Sequence, residues 1–266
     1  MDLFLLDTIK SIILGIVEGF TEFLPISSTG HLILVNQFIS FNRKFTLLFD
    51  IVIQLGAILA VLFYFRKKLW PISNIWYKAI VGVLPAIVIG GLFGALAEEK
   101  LFNPWVVALA LLIGGIIILL IEAREKRATN APTRIISVKD LSYKTAFFIG
   151  LVQCLSIIPG TSRSAATIIG AMIFGASRMV ATEFSFFLAI PTMLAASVYS
   201  LLKYNAPLNS QQFFVLSVGF IVSFVVALAV TKFLINYVQK NNFKIFGWYR
   251  IVLGTIIIIF FIWKIY

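Results

Sequence analysis

Six stretches of this chain are apolar for the thickness of a bilayer, and this constrains every other segment. They cover residues 47–65, 79–97, 105–121, 184–202, 213–234 and 248–262. A spanning helix needs about 20 mostly apolar residues. Trp70, Trp76, Trp105, Trp248, Tyr199 and Tyr204 lie at or near their ends, where amphipathic rings favour the membrane interface. Composition agrees: 61% of residues are hydrophobic and 12% charged, with a mean hydropathy of +1.02. A soluble domain is about 45–50% apolar and about 25% charged. Too few polar residues remain to clothe a water-soluble globule, so disorder and an ordinary soluble fold are both excluded. The expectation is one all-α polytopic membrane domain over residues 1–266.

Two further apolar stretches are interrupted. Residues 9–39 carry Glu18, Glu22, Pro25, Ser27, Ser28, Gly30 and His31. Residues 146–176 carry Gln153, Pro159, Gly160, Thr161, Ser162, Arg163 and Ser164. Each is too long for one span and has its polar break near the middle. Backbone that leaves the helix at membrane depth must be buried in protein or face water. Both therefore read as re-entrant helical hairpins.

The formal net charge is +11, but the bases flank apolar runs. That placement points to membrane orientation and anionic headgroups rather than to nucleic acid. One basic cluster is Arg66, Lys67 and Lys68 with Lys78. The largest is Arg124, Lys126, Arg127, Arg134, Lys139 and Lys144. Lys232, Lys240 and Lys244 form the third. Placing all three in the cytoplasm lets the six spans alternate, the first running outside to inside. The first hairpin then begins and ends outside, and the second inside. Each is followed by three spans. Residues 1–121 and 145–266 become two halves of an inverted-topology repeat, joined by a basic cytoplasmic connection, 122–144. In such repeats sites lie at mid-membrane where the halves meet. Gly15-Ile-Val-Glu-Gly-Phe-Thr before Pro25-Ile-Ser-Ser parallels Gly150-Leu-Val-Gln-Cys-Leu-Ser before Pro159-Gly-Thr-Ser. Aligning the prolines needs a one-residue gap ahead of them.

Several features are silent or bland. Met1-Asp2 lacks a basic signal-peptide start, and Glu18 and Glu22 interrupt the first apolar run, so the N-terminus is expected to be retained. Cys154 is the single cysteine and reads as a small packing residue. With one His and one Cys, a four-ligand structural zinc site is excluded. Gly90, Gly91 and Gly94 read as a close helix contact. Asp50, Gln54, Glu183 and Arg178 are weaker polar signals.

The two breaks carry the chemistry. Glu18 and Glu22 share one helix face. A carboxylate at membrane depth costs at least about 2.5 kcal/mol, so such a pair needs a proton, a base or a divalent cation. Ser27, Ser28 and Thr29 supply three consecutive hydroxyls. His31, the one histidine, can act as base, acid or nucleophile. In the second break, Gly160, Thr161, Ser162 and Ser164 form an anion nest leading into a helix N-terminus. Arg163 adds a bidentate donor fork for phosphate, or pairs internally with Glu18 or Glu22. If the two tips meet, the set is a cation, a phosphate clamp and a nucleophile, enough for phosphoryl transfer. A lipid phosphate would need an all-membrane enzyme, since its tail enters sideways between helices.

At these motifs the chain resembles the bacterial undecaprenyl-diphosphate phosphatase, or bacitracin-resistance protein, family. The likeness rests on Glu18-Gly-Phe-Thr-Glu22-Phe-Leu-Pro-Ile-Ser-Ser-Thr-Gly-His31 and Pro159-Gly-Thr-Ser-Arg163-Ser, with Ile53-Gln-Leu-Gly-Ala-Ile-Leu-Ala and Glu183-Phe-Ser-Phe-Phe-Leu-Ala-Ile-Pro. It departs at Ala165, where the family usually has Gly. The resemblance implies hydrolysis of undecaprenyl diphosphate to the monophosphate and inorganic phosphate, recycling the carrier for cell-wall synthesis. It implies Glu18, Glu22, Ser28, His31 and Arg163 as the main functional positions. It also implies a divalent cation (Mg²⁺ or Ca²⁺), here expected on Glu18 and Glu22. The expected location is the bacterial cytoplasmic (inner) membrane, with the active site open to the outer side. Ser28 with His31 as base, His31 itself, or water remain alternative nucleophiles. The competing class is a transporter or flippase of a polyprenyl phosphate lipid, because broken helices in an inverted repeat also describe carriers. A bundle this small is compatible with a homodimer.

Overall fold

The computed structural model describes residues 3–70, 74–127 and 135–265. Met1, Asp2 and Arg134 lie outside the described residues. The chain is helical almost throughout: α1 Leu3–Thr21, α2 Ser28–Val35, α3 Arg43–Leu69, α4 Asn74–Leu101, α5 Pro104–Arg127, α6 Tyr143–Gln153, α7 Arg163–Ile173, α8 Arg178–Lys203, α9 Ser210–Lys240 and α10 Lys244–Ile265. Short 3-10 turns occupy Val138–Asp140 and Cys154–Ile157. Among the described residues there is no strand beyond one isolated bridge, Ile135 to Ala176. Six of the helices, α3, α4, α5, α8, α9 and α10, are long and apolar enough to cross a membrane. They contain the six stretches read from sequence. Their outer faces expose Leu92, Phe93, Ile113, Ile117, Val252 and Ile256, a surface that suits lipid and not water.

Local chemistry sets the helix starts. Asn42 accepts from Phe45 N at 3.0 Å, Ser177 from Val180 N at 3.3 Å, and Ser142 from Thr145 N at 3.0 Å. Asn209 and Gln212 form a reciprocal capping box. Two caps are unusual. Ser27, before α2, has φ 74°, and Ser162, before α7, has φ 72°. They are the only positive-φ residues other than glycine among the described residues. That backbone costs an L-residue roughly 1–2 kcal/mol. Each serine side chain accepts an amide three residues on, Gly30 N or Ala165 N, both at 3.2 Å, and so helps hold the turn.

The basic segments gather at one end. Lys78 on α4 donates to Lys139 O at 2.5 Å and to Val138 O at 3.3 Å. Lys68 near the end of α3 pairs with Glu183 near the start of α8 at 2.5 Å. Glu122 on α5 takes Arg178 at 2.5 Å and also accepts Phe243 N at 3.0 Å. Arg178 thus holds a carboxylate as it opens α8. At the other end Lys10 of α1 reaches Ser40 O at 3.1 Å, so the entry to α1 lies beside the exit of α2.

The helices approach most closely where side chains vanish. A Cβ on Gly150 would fall 1.9 Å from Gly82 O, and one on Gly15 would fall 2.8 Å from Gly219 O. These contacts press α6 onto α4 and α1 onto α9. The expected close contact at Gly90, Gly91 and Gly94 is not found: nothing lies within 4 Å of a Cβ there. That part of α4 has its exposed apolar face around those glycines. The main core joins Phe23, between α1 and α2, to Phe65 of α3 and to Phe184, Phe186 and Phe187 of α8. Phe23 meets Phe186 edge-on at 5.2 Å, and Phe65 meets Phe187 at 5.0 Å. The first break is therefore seated on α8.

Gly150→Ala is expected to destabilise the detergent-solubilised protein by about 1–3 kcal/mol through overpacking. Gly91→Ala is expected to be neutral or slightly stabilising. Unfolding curves of the two variants beside the parent check this contrast.

Candidate active site

The two breaks meet. Glu22 follows the end of α1 and Arg163 opens α7, and Arg163 Nη2 donates to Glu22 Oε1 at 2.9 Å. Their side chains are 11% and 5% exposed, so this pair is shielded from water and held in one geometry. Arg163 Nη1 donates to Ser185 O on α8 at 3.0 Å. The guanidinium also stands over the Phe23 ring, 5.7 Å from its centroid. The other Glu22 oxygen accepts the hydroxyl of Ser28, the first residue of α2. Carboxylate, arginine and hydroxyl form one connected set drawn from the turn after α1, from α2 and from α7.

Further ties fix the tips against each other. Ser164 Oγ donates to Leu24 O at 2.8 Å and contacts Ser162 Oγ at 3.0 Å. Arg250 on α10, wholly buried, donates to Pro25 O of the first break at 3.2 Å and to Gly160 O of the second at 2.9 Å. It also reaches Ala110 O at 3.0 Å and Leu111 O at 3.4 Å on α5. Gly160 has φ +91°, and a Cβ there would fall 2.6 Å from Val107 O. Only glycine fits that position.

The remaining expected residues fall into place unevenly. Glu18 is 1% exposed and its Oε1 has no hydrogen-bond partner. Glu22, Asp50 and Arg163 all act on it electrostatically. His31 is half-buried. Its Nδ1 lies 2.7 Å from Ser27 O and its Nε2 lies 2.7 Å from the Tyr249 hydroxyl. Neither nitrogen bonds Ser28, whose hydroxyl is engaged by Glu22. Ser27 and Ser162 serve as caps. Thr161 is half-buried and Thr29 is exposed. Asp50 accepts Asn36 Nδ2 at 3.1 Å.

Sequence reasoning passed over Arg250 and Tyr249. The signal was present: a charged residue inside an apolar span is a functional candidate by default, and Arg250 is such a residue. Ser185 carried no signal, since Arg163 uses its backbone carbonyl.

Among the buried groups without a hydrogen-bond partner, two are complementary. Arg163 Nε is an unpaired donor and Glu18 Oε1 an unpaired acceptor. An anion satisfies the first and a cation the second. A divalent cation fits Glu18, an oxygen ligand of the hard type Mg²⁺ and Ca²⁺ take. Glu22 has both oxygens committed to protein donors. Among the described residues no three His, Cys, Asp or Glu side chains form a metal cage. A cation here would draw its remaining ligands from substrate oxygens and water, as Mg²⁺ sites on phosphates commonly do.

Residues 11–256 match the family model described as bacitracin resistance protein BacA. The chain is 49% identical over 271 residues to a protein of Lachnoclostridium phytofermentans named undecaprenyl-diphosphatase, covering 97% of this chain and 98% of that one. It is 49% identical over 274 residues to the undecaprenyl-diphosphatase of Lactiplantibacillus plantarum, covering 97% and 98%. It is 48% identical over 271 residues to undecaprenyl-diphosphatase 1 of Clostridioides difficile, covering 97% of each.

Arg163→Met leaves the Glu22 carboxylate buried without its counter-charge and is expected to cost about 3–5 kcal/mol of stability. Adding Glu22→Gln should recover a large part of that loss, because no unpaired charge remains. A double-mutant cycle read by unfolding in detergent measures the coupling.

Proposed function

The chain belongs to the bacitracin resistance protein BacA family of undecaprenyl-diphosphatases, and we propose that its reaction runs on Ser28, Glu22 and Arg163, where the two helix breaks meet. It is an integral membrane hydrolase that converts undecaprenyl diphosphate to undecaprenyl phosphate and inorganic phosphate. That step returns the carrier lipid to cell-wall synthesis and underlies bacitracin resistance.

The observation that carries the residue assignment is the connected set from Ser28 through Glu22 to Arg163, with Arg163 Nε left free. Ser28 Oγ already donates to Glu22, so this carboxylate takes the hydroxyl proton as Oγ attacks the terminal phosphorus. The Oγ–P bond forms, the bond to the bridging oxygen breaks, and undecaprenyl phosphate leaves. Arg163 keeps Glu22 oriented through Nη2 and offers Nε to a phosphate oxygen. The first-turn N–H groups of α2 and α7 have no intrahelical acceptors and add positive potential. Water then cleaves the phosphoserine, and Glu22 returns its proton to Ser28 Oγ. Glu18 would hold the divalent cation, which supplies charge neutralisation on the diphosphate when bound.

In our reading the two broken helices are re-entrant hairpins of an inverted-topology repeat, with residues 122–144 between the halves. Several regularities support it. One constant sequence offset relates the strained caps Ser27 and Ser162 and also the caps Asn42 and Ser177. The same offset relates Gly15 to Gly150, so the caps align without the gap that the prolines require. Packing obeys the exchange as well: α1 on α9 answers α6 on α4, while α3 with α8 and α5 with α10 pair across the halves. With the basic end cytoplasmic, the first hairpin enters from the outer side of the bacterial inner membrane, and the site opens outward.

Purified protein in detergent is expected to release phosphate from undecaprenyl diphosphate, and to stop in EDTA. Glu22→Gln and Arg163→Ala should each lower kcat by about 10²-fold or more. Lipid binding without phosphate release from well-folded parent protein would favour a carrier instead.

A further inference from the structure

His31 has both nitrogens spoken for, and neither partner is Ser28. Ser27 O, a carbonyl, can only accept, so the Nδ1 at 2.7 Å from it carries the hydrogen. Nε2 of the neutral ring is then an acceptor, and the Tyr249 hydroxyl at 2.7 Å is its donor. The two rings lie nearly parallel, 9° apart, with centroids at 5.8 Å. The Ser27 carbonyl that fixes Nδ1 belongs to one of the two strained caps. Tyr249 is next in sequence to Arg250, which grips both breaks. Two consecutive residues of α10 therefore hold the tips and the imidazole together. Unlike Arg250, Tyr249 is 43% exposed.

We propose that Tyr249 is a further catalytic residue of the reaction: its hydroxyl covers His31 Nε2 until the phosphoserine has formed and then donates to the phosphate, freeing the imidazole for the step that cleaves the Ser28 phosphoester. The inference rests on the phosphoserine reading above. In the first half-reaction Glu22 takes the Ser28 proton and His31 stays hydrogen-bonded to Tyr249. In the second, the Tyr249 hydroxyl passes from Nε2 to a phosphate oxygen. The freed Nε2 takes a proton from the attacking water. The water oxygen bonds to phosphorus, the P–Oγ bond breaks, and Ser28 Oγ recovers its proton from Glu22.

Tyr249→Phe removes the hydroxyl and keeps the ring, so packing is retained. Two readouts test the role. The first is carbethoxylation of His31, the one histidine of the chain, by diethyl pyrocarbonate in protein without substrate. Uncovering Nε2 should speed it about tenfold, the worth of one hydrogen bond of about 1.4 kcal/mol. The second is turnover of undecaprenyl diphosphate. Slowing only the second half-reaction lowers kcat about tenfold, lowers KM in proportion and leaves kcat/KM unchanged. A burst of undecaprenyl phosphate should then precede the steady state.

Unchanged His31 reactivity would overturn the proposal, because Tyr249 would not be covering Nε2. Faster modification with kcat/KM falling as far as kcat would also overturn it, by placing His31 in the first half-reaction. Faster modification with unaltered kinetics would reduce the contact to packing. Faster modification of Tyr249→Phe beside a parent that releases no phosphate would remove the phosphatase reading and this role with it.

Discussion

A guanidinium whose partners are backbone carbonyls holds this structure's centre. Arg250 is wholly buried and spends its donors on four backbone carbonyls, two on α5 and one on each helix break. Breaking a helix at membrane depth leaves carbonyls without partners, and each costs several kcal/mol in an apolar medium. Arg250 satisfies one such carbonyl on each tip at once. The tips are thereby brought within reach, and the Glu22–Arg163 pair, the Ser164–Leu24 bond and the Ser28–Glu22 bond can all form. A charge that would be costly alone becomes the fastening between two halves of the chain.

The strained serines belong to the same economy of polar groups. Ser27 and Ser162 turn the chain through a left-handed backbone and cap the helices that follow. The residue after each cap is one to which the proposed reaction gives a role, Ser28 on α2 and Arg163 on α7. Each break thus presents one polar side chain at a helix N-terminus, one a hydroxyl and the other a cation. An in-line displacement on phosphorus needs both, held rigidly.

Much of this was legible in the sequence. The six spans stand out because apolar length is a strong signal, and the breaks stand out because Glu, Arg and His are so costly where they occur. The pairing of Arg163 with a carboxylate was among the expected outcomes. Which carboxylate was not readable, since Glu18 and Glu22 share a helix face and only the tertiary fold separates them. The engagement of Ser28 by Glu22, and of His31 by Tyr249, depends on the rotation of α2 against α1 and α10. Sequence spacing within α2 puts Ser28 and His31 near one another but does not say which neighbour each will face. Gly90, Gly91 and Gly94 misled for a related reason: small residues permit close packing without requiring it, and α4 turns that face outward. Arg250 was visible as a charge inside an apolar span, but its partners were not, because backbone carbonyls leave no trace in side-chain identity.

The central claim is that Ser28, activated by Glu22, carries the phosphoryl group. Rapid acid quench of the purified protein mixed with undecaprenyl diphosphate labelled in its terminal phosphate, followed by peptide mapping, tests it directly. The account predicts acid-stable label on Ser28, and none in Glu22→Gln. Label on His31, recovered as an acid-labile phosphoramidate under a base quench, would contradict it. So would full turnover with no labelled protein at any time point.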